Sequence, residues 1–409
     1  MVTQKGIVAS LLVLPKGFIL GEAEGGEVTR RGIRELVEAV RGRYLRGSKK
    51  VKTRILNEFV ANTGLHRKSA IRLLNGRPKP AGEKKSGRRR LYGLEVMAAL
   101  KTAWEATDRV CSRRLQPFLP ELLGLLMNKE EIVITEEAYL QLCHMSASTI
   151  DRILHKWRRT GARHGFSTTK PGSLLKAAIP IRTFGDWDDK RPGFVEADLV
   201  AHCGDSSEGF YLTTLSTVDV ATGWFEPVAV WGRGQEHVGG AVHKVRQRLP
   251  VAMLGLDSDN GSEFINQRLY DYCRQSHITF TRSRSYKKND SCHVEQKNWA
   301  VVRRVIGYHR FSSKQAYVAL ENVYVMLRLY VNFFQPVLKL VRKTRHGARV
   351  RKEYDTAQTP YRRLLRSGTL SQDKERQLIS IYSALNPVTL LAHIRQAVEH
   401  LWTLAEPNR

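Results

Sequence analysis

Acidic residues are scarce relative to basic ones in this chain of 409 residues. Lysine and arginine number 67 against 39 aspartates and glutamates, which gives a formal net charge of +28 at pH 7. A positive excess of this size indicates a polyanionic partner, and nucleic acid is the usual one. An acidic membrane surface and a generally basic proteome stay open as alternatives on charge alone.

Cysteines and long apolar runs are also scarce. The five cysteines are scattered and form no Cys-x-x-Cys pair, so neither a zinc ribbon nor a disulfide framework is predicted. This usage fits a reducing cytoplasm. The apolar run over residues 7–14 is too short to span a membrane, Pro15 ends it, and no convincing signal-peptide cleavage site follows. We therefore expect a soluble, cytoplasmic protein without a membrane partner.

Residues 1–90 are predicted to form an α-helical DNA-binding domain. Apolar residues recur at helical spacing in two halves of the segment 54–74, which break at Thr63-Gly64. Two short helices joined at a glycine are the pattern of a helix-turn-helix, because glycine permits the turn backbone. The second helix would present a basic set to the major groove and the phosphates: His66, Arg67, Lys68 and Arg72. An ordinary helical hairpin is the alternative.

The end of this domain, residues 77–90, is a basic segment that contains proline and glycine. Such a segment can lie along phosphates or in a minor groove, and a plain solvated linker is the alternative. Its candidate DNA contacts are Arg88, Arg89 and Arg90.

Residues 91–165 are predicted as a second helical DNA-binding module. A helical pattern breaks at His144-Met145 and resumes with a serine that can cap the next helix. No glycine marks this turn, so a plain helical pair is the alternative. The candidate DNA contacts are Ser148 and Arg152. A basic linker over residues 166–184 follows.

The pattern of residues 185–335 is that of an α/β domain. Three strand-like runs come first, and helix, strand, helix, strand and helix follow, with the fourth strand predicted over Val251 to Leu256 and the next helix from Glu263 to Ser276. This is the element order of a ribonuclease H-like domain, so we predict a mixed five-stranded sheet flanked by helices. Residues 336–409 are predicted as a small basic C-terminal region with a β-hairpin and helices.

Three acids in the α/β domain stand out by position. Asp198 lies inside the first strand, Asp259 follows the fourth, and Glu295 lies at the start of a helix. A carboxylate inside an apolar strand is costly to bury unpaired, and the carboxyl ends of strands are where open α/β sheets place ligand sites. Acids that converge from these elements can hold two Mg²⁺ ions, which prefer oxygen ligands.

Each acid also has a purely structural alternative. Asp198 can be a strand-end aspartate, and Asp259 can form an Asx turn, with Asp257 as a competing neighbour. Glu295 can be a helix N-terminal carboxylate stabilised by the helix dipole. Their occurrence in order, on the expected elements, favours the catalytic interpretation. We expect Glu263 to open a helix and to support Asp259 from outside the metal site; a direct role in metal binding is the alternative.

The motif around the second acid resembles that of a known family. Ser258, Asp259, Gly261, Glu263 and Phe264 match an S-D-x-G-x-E-F-like motif, and thirty-five residues separate the second acid from the third. Both features are similar to the integrase core of retroviral integrases and of related bacterial insertion-sequence transposases, the DDE type. The first acid matches as well, and the resemblance covers residues 185–334. The His/Cys zinc module that begins retroviral integrases is absent here.

The resemblance implies a DNA transposase. Such an enzyme binds the terminal repeats of a mobile element, cleaves the DNA ends and transfers them into target DNA, with Asp198, Asp259 and Glu295 holding two Mg²⁺ ions, for which Mn²⁺ can substitute. The implied partners are double-stranded DNA, as element ends and as target, and further copies of the chain in a homo-oligomer. The implied location is the bacterial cytoplasm, in association with DNA.

Basic and polar residues around the acids are further candidate DNA contacts, namely Lys287, Lys288 and Asn298. The cluster from Lys339 to Lys352 is a candidate for non-specific DNA binding. Two alternative functions stay open: a ribonuclease H-like nuclease that only hydrolyses, and a catalytically silent DNA-binding regulator.

Overall fold

The computed structural model describes residues 29–76, 91–157, 191–283 and 292–407. The chain divides into two compact units, residues 1–89 and 90–409. The linker predicted over residues 166–184 lies outside the described residues, as do five candidate DNA contacts: Arg88, Arg89, Arg90, Lys287 and Lys288. Among the described residues, no helix has the length and apolar character needed to cross a membrane.

Over residues 29–76, the first unit forms three helices around a small apolar core. They are α1 (Arg30–Arg46), α2 (Lys49–Thr63) and α3 (Arg67–Asn75). The α2 helix ends because Gly64 adopts the left-handed conformation, with φ of 66°, and donates its amide to the Val60 carbonyl at 3.0 Å. The buried core side chains come from all three helices: Leu36, Val40, Tyr44, Leu56, Phe59, Ala70 and Leu74.

The second unit begins with four helices that share one apolar core with the sheet that follows. They are α4 (Leu94–Ala106), α5 (Ser112–Asn128), α6 (Glu136–Cys143) and α7 (Ala147–Leu154), with a 3₁₀ turn over His155–Trp157. Ser146 caps α7 by accepting a hydrogen bond from the Thr149 amide at 3.3 Å. The Tyr330 hydroxyl, far along the chain, donates to the Ala106 carbonyl at 2.8 Å. These helices are therefore packed onto the α/β part of the unit.

The predicted mixed five-stranded sheet flanked by helices is confirmed. Its strands are β1 (Phe194–Ala201), β2 (Thr213–Asp219), β3 (Phe225–Val230), β4 (Gly255–Ser258) and β5 (Thr279–Arg282), in the order β3-β2-β1-β4-β5. β2 is antiparallel to β1 and β3, whereas β4 is parallel to β1 and β5. Two helices connect the last three strands, α8 (Gln235–Arg248) and α9 (Gln267–Gln275).

Two predicted elements differ from the structure. The fourth strand begins at Gly255 rather than Val251, because its partner β1 begins only at Phe194, opposite Gly255, and Gly193 before it has φ of 115° and leaves the extended conformation. The prediction that Glu263 opens a helix is wrong. The next helix begins only after Asn266, whose extended backbone and side-chain bond to the Leu269 amide at 2.9 Å form the N-cap.

The remaining elements follow the sheet. They are α10 (Cys292–Lys297), a π-helical segment (Asn298–Arg303), α11 (Arg304–Ile306), α12 (Lys314–Phe334), the hairpin strands β6 (Leu340–His346) and β7 (Arg349–Tyr354), α13 (Pro360–Arg366), α14 (Gln372–Ala384) and α15 (Pro387–Thr403). The buried Asn332 of α12 bonds both the amide and the carbonyl of Phe225, each at 2.8 Å. This contact fixes α12 against β3.

Candidate active site

Asp198 lies in the middle of β1 with both carboxylate oxygens engaged. Oδ1 accepts the Leu199 amide at 2.8 Å, and Oδ2 accepts the side-chain amide of Asn298 at 2.6 Å. Asn298 begins the π-helical segment, so this bond joins β1 to the helix that carries the third acid. The orientation of the Asp198 carboxylate is therefore set by two separate elements.

Asp259 directly follows β4, at the strand's carboxyl end. Its Oδ1 accepts the Gly261 amide at 3.0 Å, which is an Asx-turn geometry. β4 runs parallel to β1, with Asp257 opposite Glu196, so the side chains of these partners share one face of the sheet. Asp259, two residues beyond Asp257, lies near Asp198, and its charge acts on the Asp198 carboxyl.

Glu295 lies on the solvent-facing side of α10. Its neighbours Val294 and Lys297 are buried, with 0% and 9% of their surface exposed, whereas Glu295 is exposed. Its charge also acts on the carboxyl of Asp198. The structure thus brings the three predicted acids into one electrostatic cluster.

Two members of this cluster have strongly shifted pKa values. Burial, reinforced by the charges of Asp259, Glu295 and Glu263, raises the pKa of Asp198 to about 7. Burial and the charge of Glu263 raise the pKa of Asp259 to about 6, against the opposing effects of the Gly261 amide and Arg233. Crowded carboxylates repel one another, so part of the cluster is protonated near neutral pH and a bound cation would relieve the repulsion.

The acids of this cluster suit Mg²⁺ in ligand type and charge, but not in their arrangement in the structure. Carboxylate oxygens are the ligands that Mg²⁺ prefers, and mutual repulsion among them favours a cation. Within the described residues, however, no group of three or more His, Cys, Asp or Glu side chains is arranged to hold a metal ion. The Asp198 oxygens face the Leu199 amide and Asn298 instead.

Glu263 is held beside the cluster by an arginine. Its side chain is 4% exposed, and its Oε1 accepts the Arg233 guanidinium at 3.1 Å. Arg233 also donates to the Tyr211 hydroxyl at 3.2 Å. A Cβ atom at Gly261 would lie 2.6 Å from the Glu263 carboxyl carbon, so a side chain at this position would displace the Glu263 carboxylate from its present place.

Glu196 is a functional candidate that the sequence analysis did not identify. Its carboxylate, on a residue that is 1% exposed, accepts the backbone amides of His293 and Val294 at 3.0 and 3.1 Å. These amides are at the N-terminus of α10, where helix amides lack intrahelical partners. Glu196 thus ties the helix of Glu295 to β1, the strand of Asp198. The available signal was the spacing of two acids, two residues apart, in one strand.

Trp299 is a second residue that the sequence analysis missed. It follows Asn298 in the π-helical segment and is 66% exposed, four residues beyond Glu295. The indole is therefore accessible to a binding partner. Its signal in the sequence was an aromatic residue among polar ones just after the third acid.

The candidate DNA contacts of the first unit lie at the start of α3 and along it. The His66 ring accepts the Lys68 amide at 3.3 Å as the helix N-cap, and the Arg67 guanidinium bonds the Asn57 side chain on α2. Four side chains of the predicted set are exposed: His66, Arg67, Lys68 and Arg72. Their accessibility is compatible with DNA contact, which stays a prediction.

The candidate contacts of the second unit lie in two different settings. Ser148 and Arg152 are exposed on α7, where the Arg152 guanidinium donates to the Thr149 hydroxyl at 3.1 Å. Asn298 donates to Asp198 at the acid cluster. A contact between Asn298 and DNA therefore stays a prediction.

Comparison with known proteins finds a relative that matches most of the chain. No protein-family model matches the chain. The uncharacterized protein y4rM of Sinorhizobium fredii (strain NBRC 101917 / NGR234) is 44% identical over 333 residues, which cover 80% of this chain and 94% of that protein. The chain belongs to the y4rM family.

Comparison with solved structures finds retroviral integrases. The catalytic core of HTLV-2 integrase in complex with magnesium is 15% identical with a TM-score of 0.27, covering 36% of this chain and 90% of that one. The catalytic core of BIV integrase is 20% identical with a TM-score of 0.28, covering 43% and 95%. The simian T-cell lymphotropic virus intasome in complex with PP2A regulatory subunit B56 gamma is 13% identical with a TM-score of 0.28, covering 55% and 70%.

Proposed function

We propose that this protein is a DNA transposase that binds the terminal repeats of a mobile element, cleaves the element's DNA ends and joins them to target DNA. The observation that carries the proposal is the proximity of Asp198, Asp259 and Glu295, in which burial, reinforced by repulsion from the other two acids, raises the pKa of Asp198 to about 7. Such a cluster, at the carboxyl end of parallel strands, suits divalent cations and phosphodiester chemistry.

The three acids are the residues that would hold the metal ions. Two Mg²⁺ ions, when bound, would activate the attacking hydroxyl and stabilise the leaving oxygen of an in-line displacement. Asp198 would have to release its carboxyl proton to solvent to act as a ligand, because ligating carboxylates are deprotonated. Asn298 restrains the Asp198 carboxylate through its 2.6 Å bond, and Glu196 restrains the helix of Glu295.

The DNA contacts complete the proposal. His66, Arg67, Lys68 and Arg72 would read the element ends from α3, together with the arginines at positions 88–90, and Ser148 and Arg152 would contact DNA from α7. The lysines at positions 287 and 288 would grip the strand beside the acids. Trp299 adds a stacking surface for a base next to Glu295, because bases stack readily on exposed aromatic rings.

A strand-transfer assay tests the proposal. Purified protein is incubated with labelled duplexes from the DNA that flanks its own coding sequence, with a target plasmid and with Mg²⁺ or Mn²⁺. Asp259→Asn removes an acid of the cluster. Asp271→Asn is the matched control, because Asp271 lies on the surface of α9 and pairs with Arg274 at 3.6 Å. We expect joined products from the wild type and from Asp271→Asn, and none from Asp259→Asn.

The other outcomes separate the competing functions. Cleavage without joining would identify a hydrolytic nuclease with the same cluster. Substantial strand joining by Asp259→Asn would contradict the proposal that the acids hold the catalytic metal ions. Binding of the ends without cleavage or joining, in either metal, would indicate a regulator with a silent core.

A further inference from the structure

The hairpin of β6 and β7, residues 340–354 and named here the basic ribbon, is solvent-exposed on both faces. All of its strand residues except Thr344 and Glu353 are exposed. Its turn is Gly347-Ala348, with Gly347 at φ of 59°, where a tight hairpin favours glycine. A two-stranded hairpin that buries neither face gains little from packing and is marginal alone. Such a hairpin must therefore be stabilised at its base, and its exposed faces are available to a partner.

The base of the basic ribbon is firmly held. Arg363 of α13 donates to both carboxylate oxygens of Asp355, at 2.6 and 3.1 Å, and to the Val337 carbonyl at 2.9 Å. Asp355 in turn accepts the Lys339 amide at 2.8 Å, which closes the two strands. The Arg363 side chain is 10% exposed, so this bidentate pair is largely shielded from solvent. The ribbon is therefore a projection on a fixed base rather than a loose tail.

Positive charge covers both faces of the ribbon. Cross-strand partners share a face, and the register pairs Lys343 with Lys352 and Thr344 with Arg351. One face therefore carries the cations Lys343, Arg345 and Lys352. The opposite face carries the cations Arg342, Arg349 and Arg351. The ribbon contains one acid, Glu353, so two copies of it would repel each other rather than pair.

Cations on both faces fit a partner that surrounds the ribbon. A single flat polyanionic surface would contact one face only. The major groove of B-DNA is about 12 Å wide, is bordered by two phosphate backbones and admits a two-stranded ribbon. A sheet with its side chains is about 10 Å thick, by the spacing of stacked sheets, whereas the minor groove is only about 6 Å wide.

We propose that the basic ribbon inserts into the major groove of duplex DNA, with each face contacting one of the two bordering phosphate backbones. The proposal rests on the proposed function in taking DNA as the partner, and it adds a holding site in the C-terminal region. These contacts are to phosphates, so the ribbon binds without regard to sequence and holds a duplex at a fixed distance from α13.

The test measures binding of the full chain to a short duplex of arbitrary sequence, without divalent metal, over a range of salt concentrations. One variant neutralises the first face (Lys343→Gln, Arg345→Gln, Lys352→Gln), and another neutralises the second (Arg342→Gln, Arg349→Gln, Arg351→Gln). A control of equal charge neutralises exposed cations of α14 and α15 (Lys374→Gln, Arg376→Gln, Arg395→Gln). All variants are first checked for unchanged circular dichroism and melting temperature.

We expect either face variant to reduce the slope of log affinity against log salt by about 2.7, since each phosphate contact contributes about 0.9. The control is expected to leave the slope unchanged. Methyl green, which occupies the major groove, is expected to displace the protein, and netropsin, which occupies the minor groove, is not. Double-stranded RNA of the same sequence is expected to bind more weakly, because its major groove is deep and narrow.

Four results would overturn the proposal. An effect of one face variant alone would indicate a ribbon lying flat on the DNA surface. Face variants that match the control would show that the ribbon does not contact DNA. Displacement by netropsin but not methyl green would place it in the minor groove. Equal binding to RNA duplex or to anionic vesicles would make it a general polyanion site. The binding assay contains no metal and involves no cleavage. A chain that shows the expected binding results but joins no strands would therefore contradict the proposed function and leave the ribbon proposal standing.

Discussion

Replacing Glu196 with alanine is expected to loosen the helix that carries Glu295. The substitution removes the carboxylate that accepts the amides of His293 and Val294 at 3.0 and 3.1 Å. A buried donor left without a partner costs about 1–3 kcal/mol. The His293 amide is half-buried and belongs at the low end of that range, whereas the Val294 amide is buried and belongs at the high end.

The two amides together predict a loss of about 2–4 kcal/mol in the free energy of unfolding for Glu196→Ala. Relief of repulsion from Asp257, which lies opposite Glu196, offsets part of it. Glu196→Gln keeps an acceptor oxygen but no charge. Since charge-assisted hydrogen bonds are about twice as strong as neutral ones, this variant is expected to lose about half as much.

Urea denaturation followed by circular dichroism measures these losses, with Glu137→Ala on the exposed surface of α6 as the control. A second readout distinguishes positioning from general stability. The Mg²⁺ concentration for half-maximal strand transfer is expected to rise in Glu196→Ala, because Glu295 is less well held, and to change little in Glu196→Gln. An alanine variant within about 0.5 kcal/mol of the control, with unchanged Mg²⁺ dependence, would refute the anchoring role.

Three further predictions concern the surroundings of the cluster. Asn298→Ala is expected to slow strand transfer about tenfold to a hundredfold by freeing Asp198, and Asn298→Asp is expected to slow it further by adding repulsion; equal rates in both variants would contradict this. Burial lowers the pKa of His202 to about 3, so the folded chain keeps it neutral while the unfolded chain binds a proton below about pH 6.5. The free energy of unfolding should therefore decrease as the pH is lowered. From pH 8 to pH 5, urea denaturation should show the wild type losing about 2 kcal/mol more than His202→Asn. Parallel curves of stability against pH for the two proteins would exclude this effect of His202. Arg328 holds the fully buried Glu226 carboxylate through hydrogen bonds of 2.6 and 2.7 Å. In calorimetry, Arg328→Met is expected to lose about 3–5 kcal/mol of unfolding free energy, and the double variant with Glu226→Gln is expected to lose less. An Arg328→Met variant as stable as the wild type would contradict this prediction.

The sheet was predictable because its strands have a strong apolar pattern and regular turns. The position of β4 was not predictable, since residues 251–254 are as apolar as a strand and the start of β4 depends on where its distant partner strand β1 begins. The start of the next helix was misplaced for a similar reason. Phe264 and Ile265 are buried in the core, where tertiary packing holds them outside the helix that their sequence permits.

The candidate site was predictable in its acids and less so in their supports. The motif around Asp259 and its spacing to Glu295 are local features of the sequence, and the structure brings both near Asp198. The partner of Glu196 is a pair of backbone amides nearly one hundred residues away, which side-chain identity cannot reveal. The bond from Asn298 to Asp198 likewise depends on how a helix packs across a strand.

The π-helical segment Asn298–Arg303 changes how the third acid's helix must be aligned with other helices. A π turn closes its hydrogen bonds over one more residue than an α turn, so every side chain beyond Asn298 is rotated relative to a regular helix that starts at Cys292. A pattern that counts residues downstream of Glu295 will be out of phase on this helix, and a basic residue expected at one number will occupy the neighbouring one. An alignment of this helix with a regular α-helix should therefore match residues by spatial face rather than by residue count.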